Sequence, residues 1–417
     1  MSKLKLFGPH YRMERFSVMF CALLAGLFLT TVACFGAHVE SQNTTLDEKA
    51  LYTQQFETSK TGVTGSVDAV YTSKDKTKSF LLLKFDDTKT ISMDAKNYQM
   101  FLTGASVSRN KQTLSGSPSG SVYVFGNTGY MGVYLVNESG FTPQILDLVV
   151  RCNSELKQKS DSTSEENKEA ASDASFSKYD QFRVYYNPGG AKASHLDCLD
   201  KGKAPSVSDF YNEAIVAPEE KSIHDELKDE VNQMAVSLNQ IDEYTQRLKT
   251  DDVTVPDEPE AIRGDKVKKN DDGSYTYEPA TVLPGGYDLD WQHRSVTQGF
   301  IKDLIKKTDT PNMTVDQYFA MQTKAQNGDA SSNEFDTNID WQLNDGTLIE
   351  SLSGNSTRYT KYTEECSDLT GAWRDYYSEK STYQRTTLQK LLDLETSTDG
   401  ILTSSTVNTS KGALTCY

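Results

Sequence analysis

"SVYVFGNTGYMGVYLVN", residues 121–137, sets two runs of β-branched and aromatic residues around a Gly-Asn-Thr-Gly turn. Glycine reaches positive φ at no steric cost and asparagine tolerates it, so the stretch predicts a β-hairpin. Its neighbours share the two-residue period. Val63, Gly65, Val67, Ala69 and Tyr71 alternate with Thr64, Ser66 and Asp68, as in a half-buried strand. "SKDKTK" (73–78) turns the chain into "SFLLLKF" (79–85), an apolar run suited to burial on both faces. "PQILDLVVRC" (143–152) and "KYDQFRVYYN" (178–187) read as further strands. Many short strands separated by turns predict an immunoglobulin-like β-sandwich over residues 61–203. Between the last two runs, residues 154–175 are rich in Ser, Glu and Lys, too polar to offset the entropy of ordering, and read as a mobile insertion.

Beyond residue 204 the period becomes helical. Leu227, Val231, Met234, Leu238, Ile241 and Leu248 recur at spacings of three and four, with Thr245 interrupting the seam. Charged residues cover the other faces, so a helix of about 30 residues with a coiled-coil-like stripe is expected. The stripe reads as one helix packed inside a bundle, with self-association as the alternative. "VTVPDEPEAIRGD" (253–265) ends the helix with two prolines. Ser295 with Gln298, and Thr314 with Gln317, have capping-box spacing, and residues 369–396 predict a last long helix. The expectation is an α+β, multidomain chain with a mostly helical domain over 204–417.

Upstream, Phe16 to Ala37 is a run of 22 residues without a charged side chain, preceded by Lys3, Lys5, Arg12 and Arg15. At ~1.5 Å per residue it would cover about 33 Å, enough for a bilayer core. The positive-inside rule then gives a single-pass transmembrane helix at 16–37, a cytoplasmic tail at 1–15, a tether at 38–60 and an extracytoplasmic bulk. Cleavage as a signal peptide and lipidation at Cys34 are alternatives. Thr31-Val32-Ala33 before Cys34 has the small residues of a processing site but lacks its usual leucine. Length, and apolar residues continuing past Cys34, favour an uncleaved signal anchor in the cell membrane.

Export would place Cys152, Cys198, Cys366 and Cys416 in an oxidising compartment. Pairing Cys152 with Cys198 and Cys366 with Cys416 closes each loop within one region, worth about 4 kcal/mol apiece in the chain-entropy view. No cysteine spacing fits zinc.

Catalytic signatures are missing from the sequence. "GSPSG" (116–120) has Pro118 where a hydrolase needs its serine, and the histidines, His195 among them, read as isolated. The net charge of −16 argues against directly bound nucleic acid. Leu289-Asp290-Trp291-Gln292 recurs in form as Ile339-Asp340-Trp341-Gln342. Trp291 and Trp341 beside Asp290 and Asp340 could stack on a sugar and bond its hydroxyls; equally, both could be core anchors. These readings describe a non-catalytic, membrane-anchored scaffold or interaction subunit of a cell-envelope assembly, such as a bacterial secretion or conjugative DNA-transfer apparatus. Its partners would be other envelope proteins, with no cofactor. A solute- or glycan-binding surface lipoprotein is the alternative.

Overall fold

The computed structural model describes residues 46–106, 110–153, 179–308, 310, 312–335 and 339–417. The fold is α+β and divides into two units, one comprising Met1–Phe210 with Ile401–Tyr417, the other Tyr211–Gly400.

In the first unit the strands are β1 (Gln55–Glu57), β2 (Thr64–Thr72), β3 (Lys78–Phe85), β4 (Tyr98–Ala105), β5 (Lys111–Gln112), β6 (Ser119–Val124), β7 (Tyr130–Val136), β8 (Ile145–Cys152), β9 (Asp180–Tyr186) and β10 (Ser194–His195), joined from the far end of the chain by β11 (Thr406–Asn408) and β12 (Leu414–Cys416). A seven-stranded sheet has the order β1-β2-β3-β7-β6-β11, with β10 on β2; a five-stranded sheet has β12-β4-β8-β9, with β5 on β4. The β6–β7 hairpin pairs Val124 with Met131, and Gly126 and Gly129 take φ of 53° and 81° in its turn. Gly132 is required for another reason: a Cβ there would lie 2.4 Å from the Phe80 ring.

Both sheets contribute to one core. Val67, Leu81, Leu83, Val122 and Val133 from the first meet Met100, Leu102, Leu148, Val150 and Val184 from the second. β3 is buried on both faces because Phe80 points the other way, where Phe210 stacks on it at 4.0 Å. Two features correct the immunoglobulin-like expectation. β10 runs parallel to β2 and β12 parallel to β4, and β11 and β12 come from a stretch expected to belong to the helical domain.

The second unit is organised by α1 (Ala217–Thr250) lying along α2 (Ser356–Ser381) and α3 (Leu388–Ser404). Glu226 meets Lys390 at 2.6 Å, Glu230 accepts from Thr387 at 2.7 Å, and Ser237 donates to Glu379 at 2.9 Å. Numbers rise on one side as they fall on the other, so the helices are antiparallel. Leu227, Val231, Met234, Ile241 and Leu248 are buried, and Leu238 is half-buried. The coiled-coil expectation is corrected: the stripe packs against helices of its own unit. A π-turn at Thr382–Thr387 joins α2 to α3 and turns Gln384 toward the 283–291 loop, where its side chain accepts from the Leu283 N–H at 2.9 Å. Its carbonyl accepts from the Tyr287 N–H, also at 2.9 Å.

Two further expectations are corrected. Among the described residues no helix is long and apolar enough to cross a membrane, since the long helices carry charged faces. The run Phe16 to Ala37 lies outside the described residues, as does the insertion 154–175, and the single-pass placement in the cell membrane is withdrawn. The disulfides are likewise absent among the described cysteines. Cys152 ends β8 and Cys198 sits in a 3-10 turn, while Cys366 and Cys416 belong to different units.

Candidate functional site

The two tryptophan motifs sit in different settings. Trp291 is 4% exposed, and its indole N–H donates to the Tyr383 hydroxyl at 2.8 Å. Burial pushes the Tyr383 phenol up to about 12, so it keeps its proton and accepts through a lone pair. Trp291 is thus a core anchor of the second unit, held by the π-turn. Asp290 is exposed and accepts from His293 Nδ1 at 2.7 Å. Trp341 is half-buried and Asp340 exposed, immediately before a two-residue strand, Gln342–Leu343. The motifs therefore differ in burial and in local structure.

The face of the five-stranded sheet turned away from the core gathers aromatic, cationic and amide side chains. Strand alternation sends Tyr98, Met100 and Leu102 into the core and turns Gln99, Phe101 and Thr103 outward. The same alternation in β8 and β9 brings out Asp147, Val149 and Arg151, and Gln181, Arg183 and Tyr185. Pairing aligns them in rows: Gln99 with Arg151 and Gln181, Phe101 with Val149 and Arg183, Thr103 with Asp147 and Tyr185.

Phe101 and Tyr417 form the centre, with ring centroids 6.3 Å apart and planes inclined by 21°. β12 makes this possible, because the Tyr417 N–H donates to the Leu102 carbonyl at 3.0 Å. The Arg151 guanidinium lies 4.8 Å over Phe101 and 5.5 Å over Tyr179. It is steered there by donating to Gln99 Oε1 at 2.8 Å and Asn153 Oδ1 at 2.9 Å. Lys111 sits 5.4 Å over the Tyr417 ring. Each cation over an aromatic face gains roughly 0.5–1 kcal/mol when solvent-accessible.

Among the described residues, the Asp147 carboxylate faces these cations. Asp147 is 3.2 Å from Arg183 Nε, an ion pair by distance without hydrogen-bond alignment. Burial raises its carboxyl above the ordinary range, and Arg183 and Lys111 pull it back. Flat aromatic rings, guanidinium donors and side-chain amides suit stacking and hydrogen bonding, and no nucleophile–base pair accompanies them here. In the sequence, Phe101 and Arg151 were visible as strand residues, but their partner Tyr417 lies beyond a helical region and no local signal links them.

No protein-family model matches this chain, and no curated protein or solved structure matches it.

Proposed function

We propose that this chain is a non-catalytic interaction subunit that engages an anionic partner through the non-core face of its five-stranded sheet. The reading rests on the Phe101–Tyr417–Arg151 platform, a half-exposed aromatic pair flanked by Lys111 and Arg183 on a chain of net charge −16. Electrostatic complementarity chiefly sets specificity and encounter rate. Cations gathered on one face favour encounter with acidic surfaces. Aromatic and Arg side chains are also the commonest carriers of interface energy.

Site-specific incorporation of a photo-crosslinking phenylalanine at position 101, in cells that make the protein, tests this. A discrete adduct that disappears with Arg151→Glu is expected, and the same probe at Lys84, on the other sheet, should not give it. Adducts of equal yield at both positions would defeat the reading.

A second reading, glycan recognition at the same face, is favoured by the near-parallel rings beside the Gln99 and Asn153 amides. It predicts saturable binding of an acidic oligosaccharide by calorimetry, lost in Phe101→Ala.

A further inference from the structure

Among the described residues one group of three potential metal ligands converges, and it lies apart from the sheet face above. β10 places His195 beside Thr72 of β2, and the following 3-10 turn, Asp197–Asp200, supplies two carboxylates. The three ligand atoms lie within 4.8 Å of one another. His195 Nε2 is 3.3 Å from Asp197 Oδ1 and 3.1 Å from Asp200 Oδ2.

The imidazole's other nitrogen decides what this cluster can bind. His195 Nδ1 is 3.1 Å from the Thr72 carbonyl oxygen. A carbonyl only accepts, so Nδ1 carries the proton. Nε2 is therefore the ring nitrogen that faces the two carboxylates. Bonds of roughly 2.0–2.2 Å to nitrogen and oxygen place tetrahedral neighbours about 3.3–3.5 Å apart, and the two histidine–carboxylate distances come near that spacing.

The supports resemble those of a ligand shell. Thr72 orients the ring as an outer-shell carbonyl does in metal sites. The Lys74 N–H donates to Asp200 Oδ1 at 3.0 Å, leaving Oδ2 turned to the histidine. Lys78 Nζ donates to the carbonyls of Leu199 at 2.7 Å and Lys201 at 2.6 Å, which fixes the turn bearing Asp200. One competitor is present, since Lys74 Nζ lies 3.1 Å from Asp200 Oδ2. The Lys74 side chain is 75% exposed, so its ammonium can return to water at little cost.

We infer that His195, Asp197 and Asp200 bind a divalent transition-metal ion, Zn²⁺ being the best match, with water completing the coordination. The imidazole disfavours Ca²⁺ and Mg²⁺, which take oxygen ligands. Binding displaces the Lys74 ammonium from Asp200 Oδ2 into water, and any proton carried on Nε2 leaves to solvent. The bound ion would tie β10 to the 3-10 turn that follows it. This inference is independent of the sheet-face reading.

The test is calorimetric titration of the full chain with Zn²⁺ at pH 7.5, with thiols blocked by alkylation beforehand. One site is expected, with affinity at least about 10-fold weaker in His195→Ala and Asp200→Asn and unchanged in His224→Ala. The unfolding temperature should rise with Zn²⁺ in the parent and not in His195→Ala. Should either variant fail to fold, Asp197→Asn decides, because that side chain is 84% exposed and its loss cannot unfold the protein. No binding in the parent up to millimolar Zn²⁺, or equal binding in parent and Asp197→Asn, would overturn the assignment.

Discussion

Lys380 and Asp265 form an ion pair at 2.8 Å with neither side chain exposed to solvent. The pair is fully partnered. Asp265 also accepts from the Tyr277 hydroxyl at 3.1 Å, the Tyr376 hydroxyl at 3.0 Å and the Ala280 N–H at 2.8 Å. Lys380 gives its remaining protons to the Ala261 carbonyl at 2.7 Å and Thr281 Oγ1 at 3.3 Å. Burial pulls the ammonium below its ordinary range, opposed by Asp265. Lys380→Met should therefore cost about 3–5 kcal/mol, because it strands a buried carboxylate. Adding Asp265→Asn should recover part of that loss. Urea unfolding of both variants checks it, and a Lys380→Met protein as stable as the parent would contradict this account.

The α1 stripe makes a prediction about assembly as well as stability. Leu227 and Met234 have no measurable exposure, so Leu227→Ala should destabilise by about 2–5 kcal/mol through lost burial and a cavity. It should leave the sedimentation mass unchanged at every concentration, since the stripe faces helices of its own unit. A fall in mass on substitution would restore the self-associating coil.

Asp329 gives the second unit a defined acid response. Burial opposes its charge, yet the Ser331 hydroxyl, the Arg385 guanidinium, the Ser331 N–H and the Tyr377 hydroxyl outweigh burial and hold the carboxyl at about 2. The folded value lies below the ordinary aspartate value of 3.8, so the stabilisation is present above that value and is lost as pH falls toward 2. Asp329→Asn should lose about 2–3 kcal/mol at pH 7, and the gap to the parent should close between pH 4 and 2. Urea midpoints across that range give the answer.

Cysteine chemistry distinguishes the two ends of the chain. Cys366 is buried, and its thiol is pushed up to about 12 by burial with Glu365 adding to the rise. Cys416 is exposed. Iodoacetamide at pH 8 should label Cys416 well before Cys366, as peptide mass spectrometry would show. Recovery of a Cys366–Cys416 cross-linked peptide from the native protein would contradict two free thiols at these positions.

Much of this architecture is legible where the pattern is local. The 121–137 hairpin follows from alternation and two glycines, and α1 from its three-four spacing. The Thr314–Gln317 capping box begins the helix Val315–Asn327 as expected. What escapes is non-local. β11 and β12 are three residues each, too short to show a period, and only pairing with β6 and β4 makes them strands. The Phe101–Tyr417 stack inherits that difficulty. Trp291 misleads for the opposite reason: it stands out in sequence, but packing claims it. His195 was within reach, because "SHLDCLD" (194–200) carries the His-x-Asp-x-x-Asp spacing. Treating the histidine as isolated missed that a 3-10 turn gathers all three side chains.

The late arrival of β11 shapes how the protein must be made. Thr406 Oγ1 accepts from the Ala95 N–H, a bond spanning 311 residues. At ~5–20 residues per second on the ribosome, roughly 15–60 s separate the emergence of the two partners. Through that interval the nascent sandwich offers unzipped flanks at β4 and β6, while the whole helical unit is translated. Holdase protection during synthesis, rather than final stability, then becomes what limits the yield of native molecules.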